Sequence, residues 1–407
     1  MPATPLHRTF LLPLCALAAL ILLQSSRADP QPPAQPPPRP HPILHITLSG
    51  DLDCARLATD FAQLLSESRD AAASATTPTS PTPVLVLELS GRRWRPDVVL
   101  AIARSIRNPQ PPIKSIVYLN SPAAPIGTGH AALGLVADAC FIAPRTHIAF
   151  EPGDDLSATL PDALDAELVT RELRALAWSS LQDRRADPLL TTLIPRPTAR
   201  LFAVKTPAEP GTVPAAPVLR LTTTPPTSGD YITLFQPPAD DATQPHLDIN
   251  TDTLTRTHFA GGIARSLAEI LSKQTIRSSR TTYKSLSSGL ADARASLART
   301  IREIDDARRQ SAAAIDEVYR LRSAGAPGRQ RRVADDQSPI IAEARKRLQA
   351  AEQLTTDYPE LLHEPAPGAT TIVQTRQTRQ KSWRDLFQSR RADLEKLTAR
   401  AQTLSEK

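Results

Sequence analysis

Glycine, lysine, cysteine and aromatic residues are all scarce in this 407-residue chain, and each shortage excludes something. Three cysteines (Cys15, Cys54 and Cys140) are too few for a disulfide-built scaffold, and they include no CxxC pair that would suggest structural zinc. The 14 glycines form neither the GxGxxG dinucleotide pattern nor a P-loop. No cofactor and no metal is expected. Lysine accounts for eight of the 48 basic residues, so lysine-dependent catalysis has few places to reside.

Proline, alanine and arginine are abundant, and the charge is uneven. Residues 273–407 hold 26 Lys and Arg against 17 Asp and Glu, whereas residues 1–272 hold 22 against 25. A basic half fits nucleic acid, an anionic membrane face or an acidic partner. Here the acids are interleaved with the bases, which favours a solvated helix face and makes nucleic acid a poor candidate.

His7 and Arg8 precede an apolar run from Phe10 to Leu23. That run is short for a spanning helix, which needs ~20 residues, and Ser26 and Ala28 supply a small-x-small cleavage pattern. Residues 1–28 are therefore expected to be a secretory signal, with an uncleaved anchor and membrane association as the alternative. Residues 29–42 read as a polyproline spacer. Export across the cytoplasmic membrane, to a periplasmic or membrane-associated location, follows as an expectation. Cleavage would leave Cys54 and Cys140, which could pair but read better as small apolar residues on buried elements.

From Ile43 the pattern turns regular. Ile43–Leu48, Val84–Leu89, Ser115–Leu119 and Cys140–Ala143 read as strands, and the second is apolar throughout, as in a parallel sheet covered on both faces. Leu52–Ser68, Pro96–Ile106 and Gly127–Ala137 read as the helices between them. Strands alternating with helices in this rhythm predict right-handed crossovers and an α/β layered domain.

The run Gly127-Thr128-Gly129-His130-Ala131-Ala132-Leu133-Gly134-Leu135-Val136-Ala137-Asp138, continuing through Ala143-Pro144-Arg145-Thr146-His147-Ile148, resembles the nucleophile helix of the Clp protease/crotonase superfamily. It is most similar to NfeD-type and signal peptide peptidase A-type membrane-associated serine proteases. Ser90-Gly91-Arg92 stands where these have Ser-Pro-Gly-Gly, and Phe259–Ala264 resembles their closing Ala…Gly-Leu-Ala segment. The resemblance implies a Clp/crotonase-like ββα-superhelix domain over residues 43–272. It also implies a homo-oligomer and a serine-type peptidase site.

Acyl transfer there needs a nucleophile, a base and an oxyanion hole. The resemblance places Thr128 at the nucleophile, where its added methyl crowds a site shaped for Ser and where Thr also reads as a helix cap. It places Gly91 and Arg92 at the oxyanion loop, a bulky cation replacing the second glycine. The family's lysine falls on a helix predicted over Asp162–Gln182, which carries Arg171 and Arg174 and no lysine. Arginine does not deprotonate at useful pH and cannot serve as the base. Lys114 and Lys205 read as solvated strand ends. His130 and His147 remain as nearby bases, although His130 is two residues from Thr128 on one helix, where side chains diverge.

Residues 273–407 read as a basic helical region. Tyr283, Leu290, Leu297, Ile304 and Val318 recur at multiples of seven, interrupted by Arg294 and Arg308. Ala324–Asp336 reads as a basic turn, and Ser338-Pro339 as the start of a second helix. Trp383, Phe387, Leu394, Leu397, Ala401 and Leu404 mark a last one. A helical hairpin or an oligomerising coiled coil is expected. The leading functional reading is an exported, non-catalytic binding or scaffold protein with a peptide or protein partner. A Thr-nucleophile peptidase and an anionic-surface binder acting through the basic helices are the alternatives.

Overall fold

The computed structural model describes residues 40–74, 83–108, 113–157, 165–184, 186–197, 199–205, 219–227, 231–235, 247–323, 328–363, 372–374, 377–379 and 382–405. The expected signal segment, and the spacer up to residue 39, lie outside them.

The apolar runs form a parallel sheet. Strands β1 (His41–Ser49), β2 (Val84–Ser90) and β3 (Lys114–Leu119) pair in order. The β3 strand then pairs with β5 (Ala139–Ile142), and the fifth strand, β11 (Ser278–Leu286), lies outside β1. Every pairing in this sheet is parallel. Alternation along each strand gives two apolar faces. Leu44, Ile46, Leu48, Leu85, Leu87, Leu89, Val117 and Leu119 belong to one core with the helices α1 (Ala55–Ser74), α2 (Pro96–Arg107), α3 (Thr128–Val136) and α4 (Ala166–Asp183). Ile43, Val84, Val86, Ile116, Tyr118 and Phe141 pack with Ala264, Ile270 and Leu271 on the other side.

Local chemistry explains the helix ends. Pro96 opens α2 with Asp97 in its first turn, and Arg104 and Arg107 sit in its last, each charge suited to the helix dipole. Asp165 caps α4 by accepting from the amides of Glu167 and Leu168. Every residue of α3 is buried, which its small side chains permit.

Two smaller sheets flank this layer. Strand β6 (Ile148–Phe150) pairs in parallel with β4 (Ile126–Gly127) and antiparallel with β10 (Leu247–Ile249). Strand β7 (Leu201–Lys205) lies between β8 (Leu219–Thr222) and β9 (Tyr231–Phe235). Helices α5 (Thr251–Arg256) and α6 (Leu267–Lys273) then lead back to β11.

The sheet continues past residue 272, since β11 is drawn from the stretch read as the start of the helical region. Tyr283, placed in a heptad stripe on sequence, lies instead in that strand and is 67% exposed, with its ring edge against His45. The remaining stripe is real. Helices α7 (Leu290–Ser323), α8 (Gly328–Asp357) and α9 (Trp383–Ser405) bury Leu290, Leu297, Ile304, Val318, Trp383, Phe387, Leu394, Leu397 and Leu404 in a core of their own. The apolar faces are thus covered within the chain. Pro339 does not start a helix, as expected, but lies inside α8 with its ring exposed, where the lost amide donor is tolerated. A short β12–β13 hairpin (Ile372–Gln374 and Gln377–Arg379) precedes α9.

Interleaved charges pair between these helices. Arg308 meets Asp393 at 3.0 Å, Arg390 meets Asp305 at 2.5 Å, and Arg391 meets Glu352 at 2.6 Å. These arginines are therefore paired with acids within the bundle. No described helix is long and apolar enough to cross a membrane.

The bundle is tied to the sheet layer by a buried ion pair. Arg95, just before α2, reaches Glu360 at 2.9 Å and Asp97 at 2.7 Å. Glu360, in the turn Pro359–His363, also accepts from the amide of Ala55 at the start of α1, at 2.8 Å. Glu360→Ala leaves Arg95 its bidentate partner Asp97 but strips the Ala55 amide and one Arg95 nitrogen of their acceptor. It is therefore expected to lower unfolding free energy by about 1–3 kcal/mol in urea denaturation. Truncation after residue 273, which also strips β11 from β1, should destabilise the sheet layer at least as much.

Candidate functional site

Thr128 begins α3 directly after β4, so the fold presents it at a helix N-terminus, as the sequence resemblance implies. The surroundings differ from those of an acyl-transfer site. Thr128 is fully buried, and its hydroxyl donates to the backbone carbonyl of Pro195. No base stands at that hydroxyl among the described hydrogen bonds.

Residues 194–196 are held at three successive carbonyls. Thr128 takes the carbonyl of Pro195, while Arg174 of α4 donates to those of Ile194 (2.8 Å) and Arg196 (2.7 Å). The Arg196 side chain in turn pairs with Asp155. The helix expected to supply a base thus supplies a clamp. Burial lowers the Arg174 pKa, but its guanidinium remains a donor. Arg171, the other arginine of that helix, is exposed and lies 4.0 Å from Glu167.

The loop read as an oxyanion hole is packed shut. Gly91 has φ +143°, and a Cβ there would lie 1.9 Å from the Gly50 carbonyl oxygen. A Cβ on Gly127 would lie 1.8 Å from the Arg92 carbonyl oxygen, and one on Gly129 would lie 2.2 Å from the Trp94 ring. Trp94 is fully buried against α3, and its backbone bridges Leu52 and Asp155. Arg92 turns away to Asp154 (2.8 Å) and Glu151 (2.5 Å), which raise its pKa and fix its charge.

Neither histidine serves Thr128. His130 is wholly buried with Nε2 3.0 Å from the Gly50 carbonyl oxygen. That contact requires the proton on Nε2, leaving Nδ1 as a buried acceptor without a partner among the described residues. Burial pushes its pKa down to about 4, the Gly50 contact opposing the shift only in part. His147 is half-buried on the approach to β6, and its carbonyl accepts from the amide of Ile126. Lys114 and Lys205 are exposed strand ends.

Cys54 and Cys140 are both free and buried. Burial raises the Cys140 thiol to about 12, and burial together with Glu360 raises that of Cys54 to about 11. Both remain protonated thiols at neutral pH. Among the described residues no group of three His, Cys, Asp or Glu side chains could hold a metal. In the sequence Arg174 marks only a place where the family's lysine is missing, and no local pattern singles out Trp94 as the side chain that packs on α3. The clamp was hidden because Ile194–Arg196 carries no motif.

No protein-family model matches the chain, and no curated protein matches it. Solved structures do. A lysine-to-alanine variant of the 1510-N membrane-bound stomatin-specific protease in complex with a substrate peptide aligns over 61% of this chain and 93% of its own, at 13% identity and TM-score 0.37. The 1510-N protease specific for a stomatin homolog from Pyrococcus horikoshii aligns over 60% and 92%, at 12% identity and TM-score 0.33. A ClpP1 variant from Listeria monocytogenes aligns over 56% and 94%, at 9% identity and TM-score 0.29.

Two measurements probe this packing. Thr128→Val keeps the shape but leaves the Pro195 carbonyl without its donor, which should cost about 1–3 kcal/mol in thermal or urea unfolding. His130 is neutral in the folded state down to about pH 4, whereas the unfolded chain protonates it near 6.5. Stability should therefore fall as pH drops from 6.5 towards 4, by about 1.4 kcal/mol per unit from this group alone. Urea unfolding of wild type and His130→Gln at pH 7, 6 and 5 should show that slope only in the wild type.

Proposed function

We propose that this chain is an exported, non-catalytic binding or scaffold protein built on a Clp/NfeD-like serine-protease fold. One observation carries the loss of catalysis: the Thr128 hydroxyl is spent on the Pro195 carbonyl inside a closed, fully packed site. A reacting carbonyl needs room beside the nucleophile and a base within hydrogen-bond reach. Trp94 and residues 194–196 occupy the first, and Arg174 stands in place of the second. The three departures support one another, since none introduces a replacement base.

The remaining parts of this reading rest on sequence. The leader and proline-rich segment of residues 1–42 support export, and the superfamily resemblance supports a homo-oligomer. The role then lies in surfaces rather than in turnover.

Purified full-length protein is expected to show no peptidase turnover on apolar peptides and no labelling by a serine-hydrolase probe. Thr128→Ser, which restores the expected nucleophile, should remain inactive because no base accompanies it. Turnover in the wild type that Thr128→Ala abolishes would overturn the proposal.

A further inference from the structure

The outer edge of β11 has no role in the site around Thr128 and shares no residue with it. This strand is terminal in the five-stranded sheet, and no described strand pairs with its outer side. It is nine residues long and six of them are exposed. An unpaired edge of that length is a template for a further strand.

Its charges discriminate between partners. Arg280 and Lys284 are exposed and have no ion-pair partner among the described residues. If two copies paired antiparallel in full overlap over Ser278–Leu286, Arg280 of each would face Lys284 of the other. Like charges directly opposite are destabilising, so the edge resists its own copy and favours an acidic strand.

A groove lies beside this edge. It encloses about 300 Å³ between α1 and the sheet, with Leu44 and Leu85 as its floor and Leu64 on the helix side. Arg280, Thr282 and Lys284 alternate along β11 and all line it, with Thr282 in register with Leu44. Glu67 and Arg69 complete the charged lining, so the balance stays positive.

We propose that the β11 edge accepts an extended acidic peptide segment as a sixth strand. Carboxylates four residues apart, ~13 Å along an extended chain, would sit opposite Arg280 and Lys284. An apolar residue midway would face the groove beside Thr282. Main-chain hydrogen bonds supply affinity in this mode, and alternate side chains supply specificity. The inference stands whichever way the peptidase assay falls.

The test is fluorescence anisotropy with the full-length protein and a labelled peptide whose core is Glu-Thr-Val-Thr-Glu. Saturable binding is expected, weakening with salt. In R280E/K284E it should fall roughly tenfold or more, because two attractive cross-strand pairs become repulsive. A peptide with Lys in place of both Glu should bind that variant better than the wild type. A wild-type measurement with the Glu peptide N-methylated at alternate amides should show binding abolished, since strand addition needs those donors. Equal binding by R280E/K284E, undiminished binding of the N-methylated peptide, or no saturable binding to the wild type would each overturn the proposal.

Discussion

Backbone crowding around the start of α3 is the constraint on which the centre of this molecule depends. Segments 50–54, 90–95 and 127–130 approach so closely that Gly91, Gly127 and Gly129 leave no space for a Cβ. In that arrangement the Gly127 amide reaches the Gly91 carbonyl at 3.0 Å, and His130 reaches the Gly50 carbonyl. The glycines are therefore packing residues. A loop that opens a pocket needs glycine so that a ligand can come near; here the space is taken by the chain itself.

Once that crowding is in place, the neighbouring polar groups acquire structural tasks. Thr128 and Arg174 hold the carbonyls of residues 194–196, and Asp154 and Glu151 hold Arg92. Buried donors and acceptors need partners, and the Thr128–Pro195 contact supplies one where water is excluded, while the Arg174 and Arg92 contacts bind partly exposed groups around it. A polar constellation at a helix N-terminus can thus be complete as a piece of folding chemistry with nothing left for a substrate.

The α/β layer was legible because apolar runs such as Val84–Leu89 and alternating small-residue helices such as Gly127–Ala137 have few other ways to be buried. The departures at Thr128, Arg92 and Arg174 were legible too, since they are single positions within a motif. The long-range partners were not. Nothing local in Pro195, Asp155 or Glu360 announces that each meets a residue from a distant segment: Glu360 and Arg95 are separated by 265 positions. Strand β11 was missed for a related reason. Its polar, exposed sequence carries no apolar alternation, because an edge strand with open faces need not bury its side chains. Pro339 misled for the opposite reason, as a helix-start signal that α8 absorbs on its exposed side.

The pairing of β1 with β11 has a consequence for the order of assembly. His41 and Ser278, which meet in the sheet, are far apart along the chain, so β1 is synthesised long before the strand that covers its outer side. Until then β1 presents an open edge to the nascent chain and its surroundings. Contacts of such long sequence separation close late and slow folding, because the loop entropy is lost before the contact rewards it. The Arg95–Glu360 pair closes later still. Maturation of this fold thus waits on distant segments: β1 waits for residues 278–286, and Arg95 waits for residue 360.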